Sequence, residues 1–288
     1  MTFRISKLAS LAAASALGVA IFAGPALADG LMRRGSIKDP VEAPAPRACT
    51  LSANVALATE YVFRGVSQTA EGPAVQGGFD ATCGLFYAGV WASNLDWDVN
   101  NAGRNAASIE MDWYAGIKPK TGRITWDLGV IYYTYPNGSQ PAFAGAGDFE
   151  PNYVELKVGG SAEIWKDGTL SVTGFFSPDY QFETGNVWTI ETGFSQVLPK
   201  VGMFTPTFSA LVGYQQGDDA TYNLRIGNGD DHYWYWNAGL TLGFLEKWSL
   251  DLRYWDSSIG DNAGGNGVCK GPVFQCDERF VATLKFTY

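Results

Sequence analysis

Charged side chains recur at alternate positions within apolar stretches of the chain. The acidic members are Glu60, Asp80, Glu110, Asp112, Asp127, Glu155, Glu191 and Asp251, and the basic members are Arg64, Lys157, Arg253, Arg279 and Lys285. Charges of both signs on one inner surface can line a water-filled passage, where they set width and ion preference. The same residues can instead close a narrow interior by pairing, because a buried charge needs a partner. Tyr114, Tyr133, Tyr153, Tyr233 and Tyr235 share the phase of these charges. Such rings can stack on sugars or bases, or they can fill volume while each hydroxyl finds one partner.

Other chemistry is thinly represented. His232 is the single histidine, so a serine nucleophile would have one possible base. The Gly-x-Ser-x-Gly elbow of many hydrolases is absent, and an enzyme is not expected. The stretch IGNGDDH at 226–232 offers carboxylates and a flexible backbone to a hard cation such as Ca²⁺. It lacks the ligand spacing of an EF-hand and reads more simply as a solvated loop, so no metal and no cofactor is assigned. Four cysteines, Cys49, Cys83, Cys269 and Cys276, have spacings unlike a zinc site.

The elements that must position these residues show a period of two. Leu51, Ala53, Val55, Leu57, Tyr61 and Phe63 alternate with Ser52, Asn54, Glu60 and Arg64. Such alternation puts the two sets on opposite faces of a strand. The same phase places Glu110 and Asp112 opposite Ile109, Met111 and Trp113, and Asp127 opposite Trp126 and Leu128. It recurs around Glu155 and Lys157, Glu191, Asp251 and Arg253, and Arg279 and Lys285. With weaker segments near 74–81, 85–94, 170–177, 206–215 and 233–244, the pattern gives about twelve strands, each long enough to cross a bilayer when tilted. The expected fold is all-β: a transmembrane antiparallel up-and-down β-barrel.

Connection lengths support that topology. Alternate connections are short, about five residues on average, and the others average about fourteen, the asymmetry of periplasmic turns and outer loops. Aromatic side chains on the apolar phase fall near strand ends, where two interfacial girdles belong. Tyr61, Phe63, Tyr132, Trp188, Tyr214, Trp234, Trp236 and Tyr254 fall at the outer level, and Trp126, Phe244, Trp248, Phe286 and Tyr288 at the inner level. The last strand ends in aromatic Tyr288, the form of signal that the barrel-assembly machinery reads. The topology also sorts the cysteines. Cys49 and Cys83 fall on the inner side and Cys269 and Cys276 in the last outer loop, so the expected disulfides are Cys49–Cys83 and Cys269–Cys276.

Composition fits an exported membrane protein. Arg4 and Lys7 precede an apolar run ending near Ala23, and Ala26-Leu27-Ala28 offers a cleavage site. Residues 1–28 therefore read as a signal peptide and 29–50 as a linker containing Pro40, Pro44 and Pro46, with the barrel over 51–288. Loss of Arg4 and Lys7 with the signal takes the formal charge from −9 to −11. An acidic chain without a basic patch is not expected to bind nucleic acid. Aromatic content of 14% with only 17% charged residues suits a surface in lipid.

The segments NVALATEYVFRGVSQT (54–69), GLFYAGVWASNLDW (84–97), IEMDWYAGIKP (109–119) and DLGVIYYTYPN (127–137) resemble the TorF family of proteobacterial outer-membrane porins. The resemblance extends from about residue 51 to the C-terminus and is most distinctive at Tyr61–Gln68. It implies an exported barrel with a transport role and implies no particular substrate.

These readings converge on a porin-like channel of the Gram-negative outer membrane, passing small polar solutes or ions. The inward charges would set selectivity, with loop 136–151, carrying Phe143 and Phe149, as the expected constriction. Its other expected partners are membrane lipids and lipopolysaccharide, the latter through divalent ions on acidic loops. Two alternatives stand beside it: a structural or adhesive barrel with a closed lumen, and a lipid-modifying enzyme.

Overall fold

The computed structural model describes residues 49–97, 107–136, 138, 150–218, 231–259 and 276–288. The expected signal peptide and most of the linker lie outside them. The chain runs as β1 (Thr50–Ala58), the two-residue strands β2 (Val62–Phe63) and β3 (Val66–Ser67), β4 (Ala74–Cys83), β5 (Phe86–Asn94), β6 (Ile109–Ile117) and the short β7 (Lys120–Thr121). It continues with β8 (Ile124–Thr134), β9 (Tyr153–Trp165), β10 (Gly168–Ser177), β11 (Val187–Val197), β12 (Thr205–Gly217), β13 (His232–Phe244), β14 (Trp248–Ser257) and β15 (Arg279–Thr287). No helix occurs among the described residues.

Twelve long strands form one closed antiparallel barrel, as the sequence pattern leads one to expect. Closure is made where β1 meets β15, in the register Val55 to Phe286 and Leu57 to Leu284. The Tyr288 amide donates to the Ala53 carbonyl at 2.8 Å. Closure matters because an unpaired backbone group in hydrocarbon costs several kcal/mol, and a barrel has no open edge.

The alternation sorts side chains as the period of two requires. On β11, Trp188 and Ile190 are 60% and 51% exposed on the outer surface, whereas Thr189 and Glu191 between them are 3% and 5% exposed. Outward aromatics include Tyr132, Trp234 and Trp236 at one level and Trp126, Trp248 and Tyr288 at the other. Five tight connections, at 84–85, 118–123, 166–167, 198–204 and 245–247, define a turn end. The longer connections define a loop end. By the rule for outer-membrane barrels the turn end faces the periplasm.

A disulfide joins Cys49 to Cys83 at the turn end, with their Cα atoms 4.5 Å apart. It ties the segment leading into β1 to the β4–β5 turn. Cys276 at the loop end is also disulfide-bonded. Its expected partner, Cys269, lies outside the described residues, as do Phe143, Phe149 and nearly all of the 136–151 loop.

The first strand requires a correction. It ends at Ala58, and the apparent continuation through Phe63 belongs to a separate hairpin of β2 and β3. Tyr61 and Phe63 are therefore buried inside the barrel, at 4% and 9% exposure, and are not part of the outer girdle. Glu60 and Arg64 likewise lie on a segment inserted from the loop end and not on the barrel wall. The cause is the Arg64-Gly65 turn: both residues have positive φ, 49° and 80°, as a two-residue type I′ hairpin requires. Apolar alternation satisfies burial within the lumen as well as burial in lipid, so the pattern carried across the break.

The lipid-facing assignment is testable at Val158, an outward residue midway along β9 that is 58% exposed. Val158→Arg should lower barrel stability by about 2–4 kcal/mol, the penalty for a cation at the bilayer midplane. Urea unfolding in lipid vesicles measures it. A neutral effect would contradict the membrane placement of that face.

Candidate functional site: an inserted hairpin and its ion-pair seat

Segment 59–73 leaves the wall after β1 and turns into the loop end of the lumen. Internal hydrogen bonds fix its shape. The Gln68 amide donates to the Tyr61 carbonyl at 2.7 Å, and the Tyr61 amide to Thr69 Oγ1 at 3.0 Å. Thr69 Oγ1 in turn donates to the Gly72 carbonyl at 2.7 Å. The segment is also sewn to the β5–β6 connection, where the Asp96 amide donates to the Gln68 carbonyl at 3.0 Å and Trp97 Nε1 to Gln68 Oε1 at 3.2 Å.

Arg64 sits at the tip, 1% exposed. Its guanidinium donates twice to Glu155 of β9, Nη1 to Oε1 at 2.7 Å and Nη2 to Oε2 at 2.9 Å. Its Nε lies 3.8 Å from Glu191 Oε1 on β11. Tyr133 donates to Glu155 Oε2 at 3.0 Å and Tyr235 to Glu191 Oε1 at 2.6 Å, so both carboxylates are held in place. The rings of Phe63 and Phe175 lie 4.8 and 4.9 Å from the guanidinium carbon. A planar fork with fixed donors suits this bidentate, ring-flanked seat in a way that an ammonium would not.

Two glycines make the approach possible. A Cβ on Gly65 would lie 2.9 Å from Ser257 Cβ and 3.0 Å from Tyr235 Cβ, in a backbone conformation that other residues rarely adopt. On β12, Gly213 leaves room for the Tyr235 ring to lie across the wall. The remaining space is filled by rings: Tyr61 against Trp91, Phe63 against Tyr133, and Tyr133 stacked on Tyr153 at 4.3 Å. Of the inward tyrosines, Tyr133 and Tyr235 donate their hydroxyls to buried carboxylates, Tyr114 donates to Asp80, and Tyr153 serves as packing.

A second buried pair secures the base of the segment. Arg279 of β15 donates from Nη1 to Glu60 Oε1 at 2.5 Å. Nearby on β6, Glu110 and Asp112 are each 1% exposed. Tyr135 donates to Glu110 Oε1 at 3.2 Å, but Glu110 Oε2 and both Asp112 carboxylate oxygens have no hydrogen-bond partner among the described residues.

The turn-end half differs, because its inward charges keep some solvent access. Lys157 donates to Asp127 Oδ2 at 2.7 Å, Tyr87 to Asp127 Oδ1 at 2.6 Å, and Lys118 lies 3.9 Å away. Arg253 is paired with Asp251 through Nε and Nη2 at 3.0 Å each, and donates also to Asn237 Oδ1 and Ser209 Oγ. Asp127 and Asp251 are 22% and 23% exposed. Asp80 accepts from Tyr114, and Lys285 is buried near the same end.

The structure thus places all of the charges singled out from sequence inside the barrel, but in two groups. Glu60, Arg64, Glu155, Glu191 and Arg279 seat the inserted segment, with Glu110 and Asp112 beside it. Asp80, Asp127, Lys157, Asp251, Arg253 and Lys285 line the more open half. Sequence reasoning missed Gln68, Trp97, Phe175 and Tyr61 as interior residues. The signal for the hairpin was Arg64-Gly65 between Val62-Phe63 and Val66-Ser67. His232 lies at the loop end, with Nδ1 2.8 Å from Asp231 Oδ1. That hydrogen bond holds the Asp231 carboxyl below its usual range. Among the described residues no group of three or more His, Cys, Asp or Glu is placed to hold a metal ion.

A closed twelve-stranded antiparallel barrel with a lipid-facing outer surface is the architecture of Gram-negative outer-membrane proteins. The chain belongs to a family described as bacterial protein of unknown function (Gcw_chp), whose profile matches residues 42–288. Among solved structures it is similar to the KdgM porin, at 9% identity over 82% of this chain and 99% of that one, with a TM-score of 0.50. It is also similar to the NanC porin, at 11% identity over 83% and 98% of the two chains and a TM-score of 0.47. LpxR from Salmonella typhimurium has 10% identity over 82% and 99%, with a TM-score of 0.43. At these identities the likeness concerns the fold. Comparison with curated protein sequences gave no match.

Arg64→Ala should destabilise the barrel by about 3–5 kcal/mol, because it leaves buried carboxylates without their cation. Adding Glu155→Gln to Arg64→Ala should restore part of the loss. Urea midpoints for the two variants check this. Equal stability of Arg64→Ala and the unaltered protein would mean that the segment is not seated as described.

Proposed function

We propose that the protein is a porin-like channel for passive diffusion of small polar solutes or ions, narrowed at its loop end by segment 59–73. The observation that carries this reading is the charged, partly solvated inner surface formed by Asp127, Lys157, Asp251 and Arg253. A lumen built only to be closed would be filled more economically by apolar side chains, since ion pairs barely repay their desolvation. The resemblance of 54–69 and its neighbouring segments to TorF porins agrees with this reading. Residues 1–28 would direct export, and the strand ending at Tyr288 would serve assembly.

One observation favours a second reading, a structural barrel with a closed lumen: the tip of the inserted segment is almost wholly buried, with Arg64 and Glu155 both 1% exposed. In the channel reading the same contact is the constriction that limits solute size.

Single-channel recording in planar bilayers separates them. The channel reading expects small discrete openings from the unaltered protein and a larger unit conductance from Arg64→Ala, in which the seat is broken. The absence of openings from both proteins would contradict the channel and favour the closed barrel.

A further inference from the structure

The two ends of the barrel carry opposite charge. At the loop end the described residues present ten exposed or half-exposed carboxylates, among them Glu71, Asp96, Asp179, Glu183, Asp218 and Glu278, and no exposed Lys or Arg. The two arginines there, Arg64 and Arg279, are buried in ion pairs. The other loop residues add five aspartates against Arg104, Arg225 and Lys270 in sequence, so the sign of the loops is unchanged. At the turn end the order reverses. Lys118, Lys120, Arg123, Lys166, Lys200 and Lys247 stand against Glu163, Asp167 and Glu246. Three of those cations fall within the single β6–β8 turn, which has no acid.

The paired interior charges keep the same order: Glu60, Glu155 and Glu191 stand with Arg64 and Arg279 near the loop end, and Asp80, Asp127 and Asp251 with Lys118, Lys157, Arg253 and Lys285 near the turn end. Next to the loop end, no Lys or Arg among the described residues pairs with buried Glu110 or Asp112. Towards the turn end, Asp127 has two cationic neighbours, Lys157 and Lys118.

We infer that the acidic loop end is a receiving surface for cationic solutes, and that the opposed charge of the two mouths makes the open barrel rectify ionic current. Rectification rests on the channel reading above, whereas cation capture at the mouth does not. A rim of one sign over a low-dielectric wall focuses its field and raises the local concentration of counter-ions. A potential that drives cations in at the acidic mouth also drives anions in at the basic mouth, so carriers accumulate between them. The reverse potential depletes the passage. Screening sets the salt range, because the Debye length falls from about 10 Å at 0.1 M to about 3 Å at 1 M.

The experiment is single-channel recording at both polarities in low and high salt, with the trivalent-to-tetravalent cation spermine added to each side in turn. In about 0.1 M KCl, current at one polarity should exceed that at the other by about twofold, and the ratio should approach one near 1 M. Spermine should block from one side only. A variant carrying Glu183→Gln, Asp218→Asn, Asp277→Asn and Glu278→Gln should show a clearly smaller asymmetry while keeping its openings. Openings with a symmetric response in low salt, or equal spermine block from both sides, would overturn this inference and leave the channel standing. If no openings occur, the channel and rectification fail together, and calorimetry on the folded barrel decides the receiving surface. Spermine binding that the fourfold variant loses supports it, and no binding overturns it.

Discussion

The Arg64 guanidinium cannot be buried in this barrel without Glu155, and Glu155 cannot be buried without Arg64. Taking either charge from water costs several kcal/mol, and only a well-aligned partner with further hydrogen bonds offsets it. The pair meets that condition through two short bonds and a hydroxyl from Tyr133. Much of the loop-end interior follows from this contact. Gly65 lets the tip turn within reach of the wall, Gly213 lets Tyr235 lie flat and hold Glu191, and Phe63 and Phe175 flank the cation. Segment 59–73 is thus packed as a piece of the core and not as a loop on the surface.

That arrangement divides the lumen. One half is buried, ring-filled and secured by ion pairs whose members come from an inserted segment and from the wall. In the other half Asp127 pairs with Lys157 and Asp251 with Arg253, and solvent still reaches them. Pairs in the second half shape and charge a surface, while those in the first half hold an object in place. The same residue types therefore do different work according to depth, and the polarity of the rims adds a second axial distinction.

Much of the architecture was legible in the sequence because lipid imposes a strict rule. Trp188 and Ile190 must face outward while Thr189 and Glu191 face in, and the period of two records this directly. The short connections and the pairing of Cys49 with Cys83 were legible for the same reason, since turns and topology leave local marks. Depth leaves no such mark. Glu155 and Lys157 share a face and are two residues apart, yet one seats the hairpin and the other lines the open half. The pairing of Arg64 with Glu155 spans 91 residues, and no local pattern encodes it. Tyr61 and Phe63 were misplaced because a ring in lipid and a ring in a packed lumen obey the same alternation; only the Arg-Gly turn distinguishes them.

The inserted hairpin depends most on a direct energetic link between Arg64 and Glu155. A double-mutant cycle of Arg64→Ala, Glu155→Ala and their combination, read from equilibrium unfolding in lipid vesicles, measures it. For a buried bidentate pair the coupling should be about 2 kcal/mol or more. Additivity within about 0.5 kcal/mol would show that the two side chains do not meet, and would contradict the inserted hairpin on which the rest is built.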